Sequence, residues 1–270
     1  MILRSCVLIL ALAICSALKS VLLSRFSSLY TPEFMAHIRA FLMPPSNTGR
    51  LVYCGTAMSH FREDSPKSRG EQRRRARYDS KQKMKELQVA FGLGSSSLLE
   101  LDRDGTTTIS IEKALSEECA ILYVDGGNTF YLQKAMNDLN FWQVALPALE
   151  ASGAVYFGAS AGAICAGSTI KTALFKGWDD PYANGAIDKT YIWDDVAFKG
   201  PSLSAPVFPH YDPSLHGALI EEKMAAWLPQ EGPIVAIADD EAYISGTEAE
   251  PYLWCSGSAE VAQPRLFTHG

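Results

Sequence analysis

Short apolar runs recur through the first two thirds of the chain, and each gives way to a small or polar break and then to a stretch with helical spacing. Residues 20–26, Leu51-Val52-Tyr53-Cys54, residues 97–101, Ala120-Ile121-Leu122-Tyr123-Val124 and Val155-Tyr156-Phe157 read as buried strands. The spacing predicts helices over 31–42, 79–91, 111–118, 130–137 and 146–151. The first opens on Thr31-Pro32-Glu33, a cap followed by proline and an acid in the first turn. Strands alternating with helices as far as residue 167 predict an α/β fold: a mostly parallel sheet, helices on both faces, and a site at the strands' carboxyl ends. Beyond 167 the order loosens. Residues 176–200, rich in Trp, Asp, Gly and Pro, read as surface loops or a hairpin around a pocket. A strand end at Val207-Phe208, an amphipathic helix over 215–228, a buried strand Ile234-Val235-Ala236-Ile237 and an acidic turn Ala238-Asp239-Asp240-Glu241 follow.

The chemistry gathers at the breaks. In Gly158-Ala159-Ser160-Ala161-Gly162-Ala163 a serine stands between a strand and a helix, with glycines two residues to either side. This is the form of a nucleophile elbow, in which the serine oxygen faces the free N–H groups opening the next helix. A glycine-rich turn with a serine N-cap would look the same. In Asp125-Gly126-Gly127-Asn128-Thr129 the double glycine lets backbone amides approach a ligand closely, and Asn128 or Thr129 caps the next helix. Of the five histidines, His210 lies between Pro209 and Pro213, which restrict its backbone, and is the best candidate base. His37, His60 and His269 have no such setting, and His216 stands second.

At 270 residues and 47% hydrophobic, the chain suits one globular domain over 18–270, which the resemblance given below makes a catalytic one. The net charge of −6 conceals an asymmetry: residues 62–85 hold ten Lys and Arg against four Asp and Glu, so the remainder carries −12. Such acidity argues against a nucleic-acid partner. The basic stretch over 62–77 reads as a solvated loop, or as a lid or anion-recognising arm. Six cysteines without C-x-x-C spacing argue against zinc and against a disulfide framework, and Cys165 is expected to pack beneath the elbow. Residues 1–17 join Arg4 to an apolar run and to Cys15-Ser16-Ala17, as a secretory signal does. An N-terminal extension is the competing reading, and the run is short for a stable membrane span.

Three separated segments, Val124-Asp125-Gly126-Gly127-Asn128-Thr129-Phe130, the Ser160 segment and Pro209-His210-Tyr211, resemble the signature segments of peptidase E, the α-aspartyl dipeptidases, in the same order and at similar spacing. The resemblance implies a flavodoxin-like three-layer fold akin to the class I glutamine amidotransferases, with serine where those enzymes hold cysteine. It implies Ser160 as nucleophile, His210 as base, Asp239 as the orienting acid, or Asp240 after a shift of one residue, and an oxyanion hole from Gly127, Gly126 and Ala161. It calls for no metal and no cofactor. The partner it implies is a small peptide, with Asn128, Thr129, His216 and Lys223 as candidate substrate contacts. A homodimer stays open. The resemblance places the protein in the cytoplasm, and a functional signal over 1–17 would export it.

One departure bears on substrate. Family members that cut after an N-terminal aspartate carry an arginine after the catalytic histidine, and this chain has none between Arg103 and Arg265. Lys223, His216 or the basic stretch would have to replace it. Three readings compete with a dipeptidase: a cyanophycinase-like β-aspartyl peptidase, an α/β-hydrolase esterase using His269, and a non-catalytic amidotransferase-like binding module.

Overall fold

The computed structural model describes residues 18–42, 49–60, 66–116, 118–228, 232–246, 250–257 and 261–268. The leader reading of 1–17, Arg62 at the start of the basic stretch and His269 of the esterase reading lie outside them.

In chain order the strands are β1 (Ser20–Leu23), β2 (Arg50–Cys54), β3 (Ser95–Leu99), β4 (Cys119–Val124), β5 (Val155–Ala159), β6 (Val207–Phe208), β7 (Ile234–Ala236), β8 (Glu241–Ser245), β9 (Tyr252–Cys255) and β10 (Leu266–Phe267). The helices are α1 (Phe26–Leu29), α2 (Pro32–Leu42), α3 (Arg69–Phe91), α4 (Thr108–Ala114), α5 (Thr129–Asp138), α6 (Phe141–Ser152), α7 (Ala161–Cys165) and α8 (Pro213–Trp227). Seven strands form one sheet in the order β3-β2-β4-β5-β1-β8-β9. The first five run parallel, and the β1–β8 and β8–β9 pairs are antiparallel.

Neighbouring residues on each strand point into opposite cores, as the two-residue period of a strand requires. Leu22, Val52, Leu122 and Tyr156 face a cluster built with Phe130, Phe141 and Leu149 from α5 and α6. Val21, Tyr53, Tyr123 and Phe157 face Phe34 and Ile38 of α2 and Met84, Leu87 and Phe91 of α3. The result is the expected three-layer α/β arrangement, with helices on both faces. A second, three-stranded sheet, β10-β7-β6, packs with α8 around Phe208, Ile220, Met224 and Ile234. The end of β6 delivers His210.

Two expectations are corrected. Residues 69–77, read as part of a loop, are the first turns of α3. Ser68 and Glu71 form a capping box there: the Glu71 carboxylate accepts from Ser68 N–H at 2.9 Å, while Ser68 Oγ accepts from Glu71 N–H. Gly70 lies inside the first turn and does not break it. Arg73, Arg75 and Arg77 pair with Asp102, Asp79 and Glu100, which occupies much of the stretch's positive charge. Glu241, read as the end of an acidic turn, begins β8, and β9 and β10 follow. These strands span five, four and two residues, so no long apolar run announces them.

Candidate active site

The backbone at Ser160 has φ 50° and ψ −109°, a conformation that a side chain adopts only when its surroundings hold it there. Small neighbours make room for it. A Cβ on Gly158 would lie 2.7 Å from the Gly162 carbonyl oxygen, and one on Gly162 would lie 2.1 Å from that of Val124. Ser160 N–H donates to Leu23 O at 2.9 Å, and the Tyr156 hydroxyl donates to Gly162 O at 2.7 Å, tying the turn to β1 and β5. The helix that follows has only five residues, so its contribution at Ser160 is the local one of its first N–H groups.

His210 also has positive φ, 54°. Its N–H donates to Ser24 Oγ at 2.7 Å, and Ser24 Oγ donates to Ile237 O at 2.8 Å, so the end of β1 bolts the histidine to the strand beside it. His210 Nε2 lies 3.0 Å from Ser160 Oγ, and Nδ1 lies 2.6 Å from Asp239 Oδ1. An ionised carboxylate accepts only, which sets Nδ1 as the protonated nitrogen and leaves the Nε2 lone pair to the serine hydroxyl. Burial pulls the imidazole below its usual 6.5; Asp239 opposes this, and Lys176 and Arg25 add to it. Asp240 is exposed, and its backbone carbonyl accepts from Ser256.

The turn carrying Asp239 has its own brace. Arg265 grips Glu241 through two 2.8 Å hydrogen bonds, and Glu241 accepts from Ala238 N–H at 2.9 Å. Arg25 Nη2 lies 3.5 Å from the second oxygen of Asp239.

Opposite Ser160, Gly127 has φ 142°, and a Cβ there would lie 2.3 Å from Ala57 O. Only glycine permits that approach. Gly126 N–H is bonded to the Asp125 carboxylate at 2.8 Å and is thus engaged within its own turn. Asp125 is buried and also accepts from Lys83 and from the Tyr53 hydroxyl.

Two cavities meet at Ser160 and His210. One, about 140 Å3, is lined by Gly127, Thr129, Ile164, Lys176, Trp178 and Asp179 among others. Lys176 Nζ donates to Pro209 O and His210 O at 3.0 and 2.6 Å, and burial lowers its pKa to about 8. Burial raises the Asp179 carboxyl, whose Oδ2 accepts from Thr129 N–H at 3.0 Å. The other cavity, about 1010 Å3, runs between the chain after β1 and α3.

Of the candidate substrate contacts, Thr129 lines the small cavity. Asn128 is turned inward as the cap of α5, accepting from Tyr131 N–H at 2.8 Å and donating to Asp180 O. His216 accepts from Asp212 N–H and packs on Phe208. Lys223 pairs with Glu222 on α8 and lines neither cavity. Lys176 and Asp179 were missed by the sequence reading, because a loop without periodicity does not say which of its charges turn inward. Cys165 is wholly buried beneath the elbow, where burial holds its thiol well above the usual value and inert. Among the described residues no three His, Cys, Asp or Glu gather as a metal site, and no helix is long and apolar enough to cross a membrane.

The model of peptidase family S51 matches residues 75–187, a span that holds the Gly126-Gly127 and Ser160 segments. No curated protein matches the chain. Two solved structures share the fold: a protein provisionally assigned as a peptidase E from Listeria monocytogenes EGD-e, 18% identical over 88% of this chain and 98% of that one with a TM-score of 0.57, and a peptidase from an acI-B1 Actinobacterium, 15% identical over 94% and 95% with a TM-score of 0.59. The segment over 75–187 is thus similar to peptidase family S51, and the fold along the chain is that of the two solved structures.

Proposed function

We propose that the protein is an exopeptidase that removes an N-terminal aspartyl or related acidic residue from dipeptides or short peptides through Ser160, His210 and Asp239. The observation that carries this is the line of contacts from Asp239 through His210 to Ser160, 2.6 and 3.0 Å long. His210 Nε2 takes the hydroxyl proton as Ser160 Oγ attacks the carbonyl carbon, and passes it to the leaving amine nitrogen. Asp239 holds the Nδ1 proton and balances the imidazolium. The N–H groups of Gly127 and Ala161 receive the oxyanion. Water then cleaves the acyl-serine by the same proton path reversed.

The small cavity is of a size for one side chain, and it supplies both signs of charge. Lys176 uses two donors on carbonyls and keeps a third, which would meet a carboxylate on the first residue. Asp179 would meet the free α-ammonium, which only an N-terminal residue carries. Lys176 thus takes the part assigned in the sequence to Lys223, His216 or the basic stretch.

The test is a mass-resolved panel of Asp-X, Glu-X, β-Asp-X, Asn-X and Ala-X dipeptides with the wild type and Ser160→Ala. Serine-dependent cleavage of Asp-X supports the reading. Preferred cleavage of β-Asp-X would move it to a cyanophycinase-like activity. Absence of serine-dependent cleavage, with no labelling of Ser160 by a phosphonylating probe, would leave a binding module.

A further inference from the structure

The two cavities at Ser160 are very unequal, and that inequality speaks to substrate length. The small one has room for a single side chain. The large one, at about 1010 Å3, reaches the upper end of what a drug-sized ligand fills, so the single amino acid leaving a dipeptide would occupy little of it. Its lining includes Phe26, Tyr30, Leu87 and Val89. Tyr30 is 57% and Val89 78% exposed, large apolar side chains held in water at the edge of a catalytic groove.

The charges point the same way. A strict dipeptidase holds the leaving residue's carboxylate close to the scissile bond, which calls for a cation set aside beside the nucleophile. Arg25 and Lys83 both line the groove, but Arg25 lies against Asp239 and Lys83 against Asp125. Lys85 also lines it, on the same helix as Val89.

We propose that the preferred substrates are peptides of three residues or more, cut after the first residue, with apolar side chains at the second and third positions lying against Tyr30, Leu87 and Val89. This rests on the reading of Ser160 as nucleophile and of the small cavity as the first-residue pocket. The chemistry is unchanged: one water adds across the peptide bond, the first residue leaves as the free acid, and the shortened peptide leaves with the proton from His210. The groove adds binding through apolar contact on the leaving-group side.

The experiment is a length series, Asp-Leu, Asp-Leu-Leu and Asp-Leu-Leu-Gly, with Glu-initial and Ala-initial counterparts. It uses the full chain and the variants Val89→Glu, Tyr30→Ala, Lys85→Met and Ser160→Ala, with products resolved by mass. Expected is release of the first residue, with kcat/KM for the tetrapeptide about tenfold above that for the dipeptide. That ratio should fall towards one in Val89→Glu and in Tyr30→Ala. Serine-dependent cleavage with the dipeptide as best substrate, or a length preference that neither variant changes, would overturn the proposal while leaving Ser160 as nucleophile. A dipeptide preference abolished by Lys85→Met would overturn it too, and would make Lys85 the carboxylate anchor. Release of the last residue instead of the first would overturn the assigned direction. Absence of Ser160-dependent cleavage for every peptide would overturn the reading of the site itself, and the length proposal with it.

Discussion

Lys83 Nζ lies 2.7 Å from the carboxylate of Asp125, and the same carboxylate accepts from Gly126 N–H and the Tyr53 hydroxyl. The pair therefore joins α3 to the turn that presents Gly127 to Ser160. Asp125 is 3% exposed, so loss of a partner leaves much of its charge uncompensated, whereas Lys83 is partly in water, which moderates the loss. Lys83→Met should lower stability by about 1 kcal/mol. If that turn holds the oxyanion as proposed, the substitution should reduce kcat severalfold through a looser turn at Gly127, with KM changing less. Denaturant titration and steady-state kinetics on one dipeptide check both. A change confined to KM would make Lys83 a substrate contact rather than a brace.

The pH profile should have two limbs. In the proposed mechanism His210 must be neutral to accept the Ser160 proton, and burial keeps its pKa below 6.5. Activity should therefore rise with pH through a value under 6.5 and be fully developed at neutrality. Lys176, lowered to about 8 by burial, is charged below that pH and neutral above it. With an acidic first residue, kcat/KM should fall as pH climbs through about 8, mostly through KM. Lys176→Met should erase the alkaline limb along with the preference for aspartate. An alkaline limb that persists in the variant would assign it to another group.

Arg265 and Glu241 brace the turn that bears Asp239. Burial alone would raise the Glu241 pKa; the bonds from Arg265 and Ala238 N–H outweigh it and leave the carboxyl below its usual 4.5. A carboxyl depressed in the folded state stabilises fully above 4.5, and that contribution is lost as pH falls through the lowered value. Arg265→Met should cost about 2 kcal/mol, a figure reduced for the partial exposure of the arginine. It should also cut kcat, because Asp239 would no longer be held on His210. Thermal melts at pH 7 and pH 4 check this: the gap between wild type and variant should shrink at the lower pH.

Much of this site was legible in the sequence, for physical reasons that can be named. Gly158 and Gly162 mark the elbow because a Cβ at either position would strike the backbone behind it, and Gly127 marks the turn after β4 for the same reason. His210 stood out because prolines pin its strand end. The choice of Asp239 over Asp240 needed coordinates, since neighbouring acids on a turn point to opposite sides and no period tells them apart. Lys176 and Asp179 sit in a loop whose path depends on distant partners, among them the carbonyls of Pro209 and His210 and the N–H of Thr129. The start of α3 is hidden because charged residues and Gly70 fill its first turns, although Ser68 and Glu71 carry the capping-box spacing. The short strand β8 was hidden because its first residue, Glu241, is a buried acid whose partner lies at Arg265.

Ser24 holds the backbone of His210. Its hydroxyl accepts from His210 N–H and donates to Ile237 O, so one small side chain satisfies two backbone groups and holds a histidine at φ 54°. A positive φ outside glycine costs of order 1–3 kcal/mol and persists only while the surroundings enforce it. Ser24→Ala removes the enforcement and leaves both backbone groups without that partner. We expect a loss of about 2 kcal/mol in stability and a kcat lowered by about tenfold or more as Nε2 drifts from Ser160. Ser24→Cys, similar in size but a poor hydrogen-bonding substitute, should resemble the alanine variant, and Ser24→Thr should retain more activity. If Ser24→Ala melted like the wild type and kept its kcat, the strain at His210 would have to be held by the flanking prolines instead.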